Sequence, residues 1–170
     1  MLTRVVSGGQ TGVDQAALRA AKRAGLATGG WLPFGCRTLD GLDRRLLNTY
    51  GMTEHPRRSY RDRTFANVRD SDGTLRIAET FSSLGERCTL NAIRYYRKPF
   101  LDLHLVCLTP RVWSCSVAPE AVLVWLQNPA HAIETLNVAG NSEQTAPGIG
   151  AHAEDLLFFL FQTIRDERSP

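Results

Sequence analysis

The residues best suited to chemistry in this chain are Ser7-Gly8-Gly9-Gln10-Thr11-Gly12-Val13-Asp14, directly after the apolar pair Val5-Val6. A short buried strand, a glycine turn and a helix start are the parts of a phosphate-holding loop. Glycines let the backbone approach an anion, and the N–H groups of the first helical turn point at it. On this reading a branched side chain at Gly9 would occupy the phosphate's place. The loop is not a Walker A motif, because Val13-Asp14 follow Gly12 where lysine and a hydroxyl residue are needed. The dinucleotide pattern is met only if Ser7 replaces its first glycine, and no acid follows in Thr28-Gly29-Gly30-Trp31-Leu32-Pro33, so a standard nicotinamide site is not expected. The competing reading is a plain strand-to-helix turn with Asp14 near the helix N-terminus.

Arginine outnumbers lysine 18 to 2, and eight arginines fall between Arg37 and Arg69. Guanidinium forks can hold phosphates bidentately. Asp40, Asp43, Glu54 and Asp62 lie among them, and the pI is about 8.8, so a nucleic-acid stripe is not expected. Cys36, Cys88, Cys107 and Cys115 form no C-x-x-C pair, and His55, His104, His131 and His152 are scattered. No protein-bound metal is predicted, and the thiols read as those of a reduced, cytoplasmic protein. No apolar run approaches the ~20 residues of a membrane span, and the first strand starts too early to leave room for a signal peptide.

The elements that must position these residues alternate between apolar runs and helical periodicity. That pattern predicts one Rossmann-like α/β domain, an open, mostly parallel sheet flanked by helices. Strands are predicted at Arg4–Ser7, near Thr28–Leu32, and at Thr74–Glu79, Pro99–Leu105 and Glu134–Ala139. Helices are predicted at Val13–Ala24, around Tyr60–Val68, and at Arg87–Arg97, Pro119–Leu126 and Pro147–Arg165. Pro33–His55 shows no period and reads as a long loop. In an open parallel sheet ligands bind beyond the carboxyl ends of the strands. Four small polar loops end strands here: Ser7–Gly12, Gly29–Gly35, Phe81–Gly85 and Ala139–Ser142. Together they predict a small phosphate-bearing ligand. Trp31 and Phe34 are candidates to stack on a base or pterin ring, with core packing as the alternative.

Three segments carry a family resemblance: Ser7 to Leu18, then Gly30-Trp31-x-Pro33-x-Gly35-x-Arg37, then Tyr60-x-x-Arg63-Thr64-x-x-Asn67-Val68-Arg69-Asp70-Ser71-Asp72-Gly73-Thr74-Leu75. With Leu136-Asn137-Val138-Ala139-Gly140 and Ala146-Pro147-Gly148-Ile149, they resemble the putative molybdenum carrier family. That family is similar to a circularly permuted branch of the SLOG superfamily, related to the lysine-decarboxylase-like phosphoribohydrolases. The resemblance implies a carrier or binding protein for the molybdenum cofactor, a phosphorylated pterin, or for a nucleotide. A nucleotide-processing enzyme and a nucleotide-sensing regulatory module are the alternatives.

Carried onto this chain, the resemblance has Ser7, Gly8, Gly9, Gln10, Thr11 and Gly12 wrap a phosphate, with Asp14 capping the helix or reaching a ribose hydroxyl. Gly30, Trp31, Arg63, Asn67, Arg69, Asp72, Ser83, Gly85, Thr89 and Gly140 line the same pocket. Arg69 and Asp72 have a second reading, an ion pair closing the Asp72-Gly73 turn. Related hydrolases carry a proline-glycine-glycine loop, Gly-Thr and a glutamate one turn on. Here Phe81-Ser82-Ser83-Leu84-Gly85-Glu86-Arg87-Cys88-Thr89-Leu90-Asn91 retains only Gly85 and Thr89, with Asn91 where the acid is expected. Glu86 or Asp72 would be the catalytic carboxylate of a hydrolase, although a first-turn glutamate also reads as a surface residue favoured by the helix dipole. Leu156–Phe161 is apolar all round, and it predicts either a sandwiched helix or a homo-oligomer contact.

Overall fold

A computed structural model describes residues 1–109 and 112–167. In chain order the elements are β1 (Arg4–Ser7), α1 (Val13–Arg23), β2 (Ala27–Gly29), β3 (Trp31–Leu32), β4 (Arg37–Thr38), β5 (Gly41–Leu42), α2 (Arg45–Tyr50) and β6 (Thr53–Glu54). They continue with α3 (Tyr60–Arg69), β7 (Gly73–Ala78), α4 (Leu84–Tyr96), β8 (Phe100–Thr109), β9 (Val112–Cys115), α5 (Pro119–Gln127), β10 (Thr135–Gly140) and α6 (Ile149–Asp166). The main sheet runs β2-β1-β10-β7-β8-β9, parallel throughout except for the β8–β9 hairpin. The chain thus folds as the expected α/β sheet flanked by helices.

Alternation with period two gives the sheet two unlike faces. Val5, Leu75, Ile77, Leu103, Leu136 and Val138 point to one side, where α1, α5 and α6 close the main core. Arg76 and Thr74 point to the other, and Asn137 Nδ2 donates to Thr74 Oγ1 at 3.3 Å. Buried Arg76 lies between the Phe81 and Phe100 rings, 4.7 and 5.6 Å from their centroids. Its guanidinium makes a fork on Asp102, with Nε at 2.7 Å, and Nη1 donates to the Glu86 carbonyl of α4 at 3.1 Å. α3 and α4 pack on each other through Phe65, Val68, Ala92, Ile93 and Tyr96. Ser59 and Ser83 cap them, accepting from Asp62 N–H and Glu86 N–H at 3.2 Å each.

Topology sets where a ligand can go. From β1 the chain crosses to β2 on one side, and from β7 it crosses to β8 on the other, with β10 between. The loops after β1 and β7 therefore diverge above the end of β10 and leave a crevice, as at any switch point.

Several expectations change in detail. The strand near Thr28–Leu32 is two strands, broken at Gly30, whose φ is +122°, and β3 leaves the main sheet to pair with β6. The stretch Pro33–His55 holds the β4–β5 hairpin, α2 and β6, elements too short to show a period. β8 runs on past Leu105 to pair with β9, an unforeseen strand. In α6, Leu157, Leu160 and Phe161 are buried, Leu156 and Phe158 are half-buried, and only Phe159 is exposed, so sandwiching accounts for most of the apolar run. All four cysteines are free thiols. Among the described residues no helix is long and apolar enough to cross a membrane.

The joint between β10 and β7 is intolerant of a side chain. A Cβ on Gly140 would run into the Ile77 carbonyl oxygen and stand 2.8 Å from Val13 Cγ2. Backbone cannot yield as a side chain does, so Gly140→Ala is expected to destabilise the fold by ~3 kcal/mol. Urea unfolding of the variant checks this, and a loss below ~1 kcal/mol would show that the joint is loose.

Candidate functional site

A cavity of about 590 Å³ fills the crevice. Its walls come from the loop after β1, α3, the N-terminal turns of α4 and the loop after β10. Of the sequence-predicted residues, Gln10, Asp14, Arg63, Ser83, Gly85, Glu86, Thr89 and Gly140 line it. Tyr60, Thr64, Asn141, Ser142 and Thr145 join them; the first two lie in the family motif and the next two in the predicted Ala139–Ser142 loop, but none was named as a site residue.

The glycine loop is built differently from a bare anion cradle. Val13 N–H donates to the Asn141 carbonyl at 3.1 Å, Gln15 N–H to the Gln10 carbonyl at 3.1 Å and Ala16 N–H to the Gly12 carbonyl at 3.1 Å. Most of the first-turn donors of α1 are thus committed within the protein. The loop also carries its own anion. Asp14 does not cap α1; its carboxylate accepts from Gln10 N–H at 3.2 Å and lies buried 3.8 Å from the Arg63 guanidinium. Burial pushes the Asp14 pKa up, and the neighbouring Arg63 opposes the shift. Burial likewise draws the Arg63 pKa down, with Asp14 opposing.

Each glycine of the loop answers to a neighbour. A Cβ on Gly8 would collide with the Arg63 guanidinium, so Gly8 makes room for the ion pair. Gly12, at φ +86°, sits against the β10 loop, where a Cβ would come within 2.5 Å of the Asn141 carbonyl oxygen. Gly9, at φ +75°, faces away from the cavity, and a Cβ there would strike Leu32 and stand 3.2 Å from Met52. A branched residue at Gly9 therefore damages the Leu18–Leu32–Met52 cluster and does not occupy ligand space. Ser7 Oγ donates to the Val138 carbonyl at 2.7 Å.

The helix end that opens onto the cavity belongs to α4. Leu84 and Gly85 N–H take no partner among the described residues, and both residues line the cavity. Two unpaired donors at a positive helix end suit an anion.

Glu86, one residue further on, is buried and not a surface residue. Its Oε1 accepts from Asn141 Nδ2 at 3.3 Å, and its Oε2 stands 3.8 Å from Arg76 Nη1 without a hydrogen bond. Arg76 offers no closer contact because its fork is committed to Asp102. Burial accordingly pushes the Glu86 pKa up to about 7; Arg76 pulls it down and the Asp14 charge adds to the rise. Asn141 joins the three loops: its Oδ1 accepts from Glu79 and Thr80 N–H at 3.0 and 3.3 Å, while Nδ2 also donates to the Thr80 carbonyl at 3.1 Å. An asparagine directly after the strand-ending Gly140 was the only signal for it. Asn91, where an acid was expected, is exposed.

The remaining predicted residues lie elsewhere. The Asn67 carboxamide accepts from Trp31 N–H at 2.8 Å and donates to the Trp31 carbonyl at 3.2 Å, and Trp31 Nε1 donates to Asp70 at 2.7 Å. Gly30 packs on the Ser7 carbonyl. These three brace β3 against α3 around a separate small cavity. Arg69 pairs with Asp70 at 2.6 Å on the surface. Asp72 pairs with no arginine among the described residues; its carboxylate accepts from Glu134 and Thr135 N–H at 3.1 and 2.8 Å. It stands at the opposite edge of the sheet, one six-residue strand or ~20 Å from the crevice. The Thr11 hydroxyl is buried in the loop without a partner.

A carboxyl whose pKa is higher folded than unfolded makes the fold most stable when protonated. For Glu86 that stability is complete below about pH 4 and is lost as pH rises to about 7. Wild type should lose about 3 kcal/mol relative to Glu86→Gln between pH 4 and 8. Urea unfolding across that range measures the difference, and a pH-independent gap would mean that Glu86 titrates as an ordinary exposed glutamate.

Comparison with known proteins places the architecture. A crystal structure of a putative molybdenum carrier protein from Syntrophus aciditrophicus SB is similar over 94% of each chain, with a TM-score of 0.76 and 34% sequence identity. No curated protein matches significantly. Residues 5–161 match the model of the circularly permutated YpsA SLOG family, spanning all four walls of the cavity, and the chain belongs to that family.

Proposed function

We propose that the crevice binds a small phosphate-bearing ligand, a nucleotide or a pterin of the molybdenum-cofactor type, and that the protein is a carrier or binding protein for it. The observation that carries this reading is unsatisfied polarity gathered at one edge of the sheet. Among the described residues, the buried side-chain polar atoms without a partner are Thr11 Oγ1, Arg63 Nε and Glu86 Oε2. Arg63 and Glu86 line the crevice and Thr11 does not; buried polar atoms are ordinarily paired, so the two at the crevice ask for an occupant. The phosphate would meet the α4 N-terminus and Arg63. Asp14 and Glu86 would accept from the ligand's own donors, either ribose hydroxyls or the amino edge of a pterin. Molybdenum would be cargo held by its cofactor, because among the described residues no three His, Cys, Asp or Glu side chains gather as a ligand set. The name of the similar crystal structure, a putative molybdenum carrier protein, agrees with such cargo. The same reading keeps a homo-oligomer as the assembly, with exposed Phe159 as the apolar residue a second copy would cover.

Thermal denaturation against AMP, ADP-ribose, NAD, GTP, a molybdopterin-type cofactor and free molybdate tests the reading. A ligand at 100 times its Kd stabilises by ~2.7 kcal/mol, a shift of a few degrees. Arg63→Ala should weaken the ligand so found by ~1.5–3 kcal/mol, and Arg69→Ala should leave it unchanged. The reverse order would move the site off this crevice.

Glu86 favours a second reading, cleavage of an N-glycosidic bond. A carboxyl with a pKa of about 7 at a ligand crevice is poised to exchange a proton near neutrality. Deprotonated, Glu86 would take a proton from the attacking water or stabilise the developing positive charge on the ribose. Incubation with nucleoside monophosphates should then release free base, and Glu86→Gln should abolish release. Release that survives the substitution removes Glu86 from that role, and none at all leaves the carrier reading alone.

A further inference from the structure

We infer that the ligand carries a second phosphate, held by Arg37, Arg44 and Arg58 in a subsite beside the main crevice. The eight arginines between Arg37 and Arg69 do not all face one way. Arg45, Arg57 and Arg69 pair with Asp43, Asp62 and Asp70, and Arg63 pairs with Asp14. Arg61 stacks on Phe65 with its guanidinium 4.5 Å from the ring centroid. The three that remain line a single cavity of about 360 Å³, and none of them has a carboxylate partner among the described residues. No acid lines that cavity. Glu54, beneath the loop, commits its oxygens to Gly35 N–H at 2.7 Å and the Cys36 thiol at 3.6 Å.

Three arginines on the walls of one cavity with no acid among its lining residues attract an anion, the more so one of two or more charges. Their forks match phosphate oxygens bidentately. Arg58 is already held, its guanidinium 5.0 Å from the Phe34 ring centroid. The subsite adjoins the crevice, since Tyr60 lines both cavities. Gln10 of the glycine loop also reaches across: its Nε2 donates to the Arg37 carbonyl at 3.4 Å and its Oε1 accepts from Leu39 N–H at 3.0 Å. A ligand with one phosphate at the α4 N-terminus and another among these arginines is a nucleoside diphosphate or a dinucleotide-type diphosphate. As the second half of one ligand site, this subsite rests on the crevice reading above.

Calorimetric titration of AMP, ADP, ADP-ribose and inorganic pyrophosphate into wild type, Arg63→Ala and an Arg37→Ala/Arg44→Ala/Arg58→Ala variant tests the subsite. Wild type is expected to prefer ADP or ADP-ribose to AMP by about tenfold or more, and the triple variant to lose that preference while still binding AMP. Pyrophosphate, whose two phosphates take both positions, is expected to bind wild type and to bind Arg63→Ala and the triple variant each about tenfold more weakly. Pyrophosphate that binds the triple variant as well as wild type, or does not bind wild type at millimolar concentration, overturns the subsite. Failure of the crevice reading shows separately, as nucleotide affinity indifferent to Arg63→Ala.

Discussion

Two carboxylates buried at one end of one sheet are the constraint from which the rest of the site follows. Removing a carboxylate from water is expensive unless charge or hydrogen bonds compensate it. Asp14 is compensated by Arg63 at 3.8 Å, which holds α3 over the β1 loop and requires position 8 to have no side chain. Glu86 has Asn141 but only a distant contact with Arg76, because Asp102 takes the arginine's fork. The arginine that could have ionised Glu86 fully is occupied elsewhere. What is left is one largely buried ion pair and one carboxyl whose pKa is pushed up to about 7, both lining the same cavity.

The parts of the fold written in local pattern were legible. The alternating apolar runs identify the main parallel strands, and Pro119, Gly25 and the small polar loops punctuate them correctly. The two-residue strands β3 to β6 were not, since a pair of residues carries no period, and β9 was hidden because a strand at the sheet edge needs no buried run. In the site, residue types were more readable than roles. Asp14, Arg63, Ser83, Gly85 and Glu86 do converge. Gly30, Trp31 and Asn67 share the motif because they brace β3 against α3, and motif spacing cannot separate a brace from a ligand contact. Glu86 looked like a surface residue because a first helical turn is usually solvated. The β10 loop, arriving from 55 residues downstream through Asn141, and Arg76 of β7 both lie against it. Thr74 and Arg76 in β7 and Asn137 in β10, polar residues inside mostly apolar strands, were the visible signs that this face of the sheet is polar.

These facts bear on what the crevice can hold. A site made only of helix N-termini and arginines would accept any oxyanion. This one also presents carboxylate acceptors, so on the proposed reading its occupant would bring hydrogen-bond donors as well as negative charge. Free molybdate brings charge and acceptors but no donors; Asp14 would repel it and ionised Glu86 would repel it further. A ribonucleotide or a phosphorylated pterin supplies both, with phosphate for the α4 N-terminus and hydroxyl or amino hydrogens for the acids. The proposed carrier reading therefore favours an organic cofactor over the bare oxyanion as cargo. The same pairing of donors with charge is what a ribosyl substrate offers, so the carrier and hydrolase readings proposed above call on the same side chains and divide on the role of Glu86.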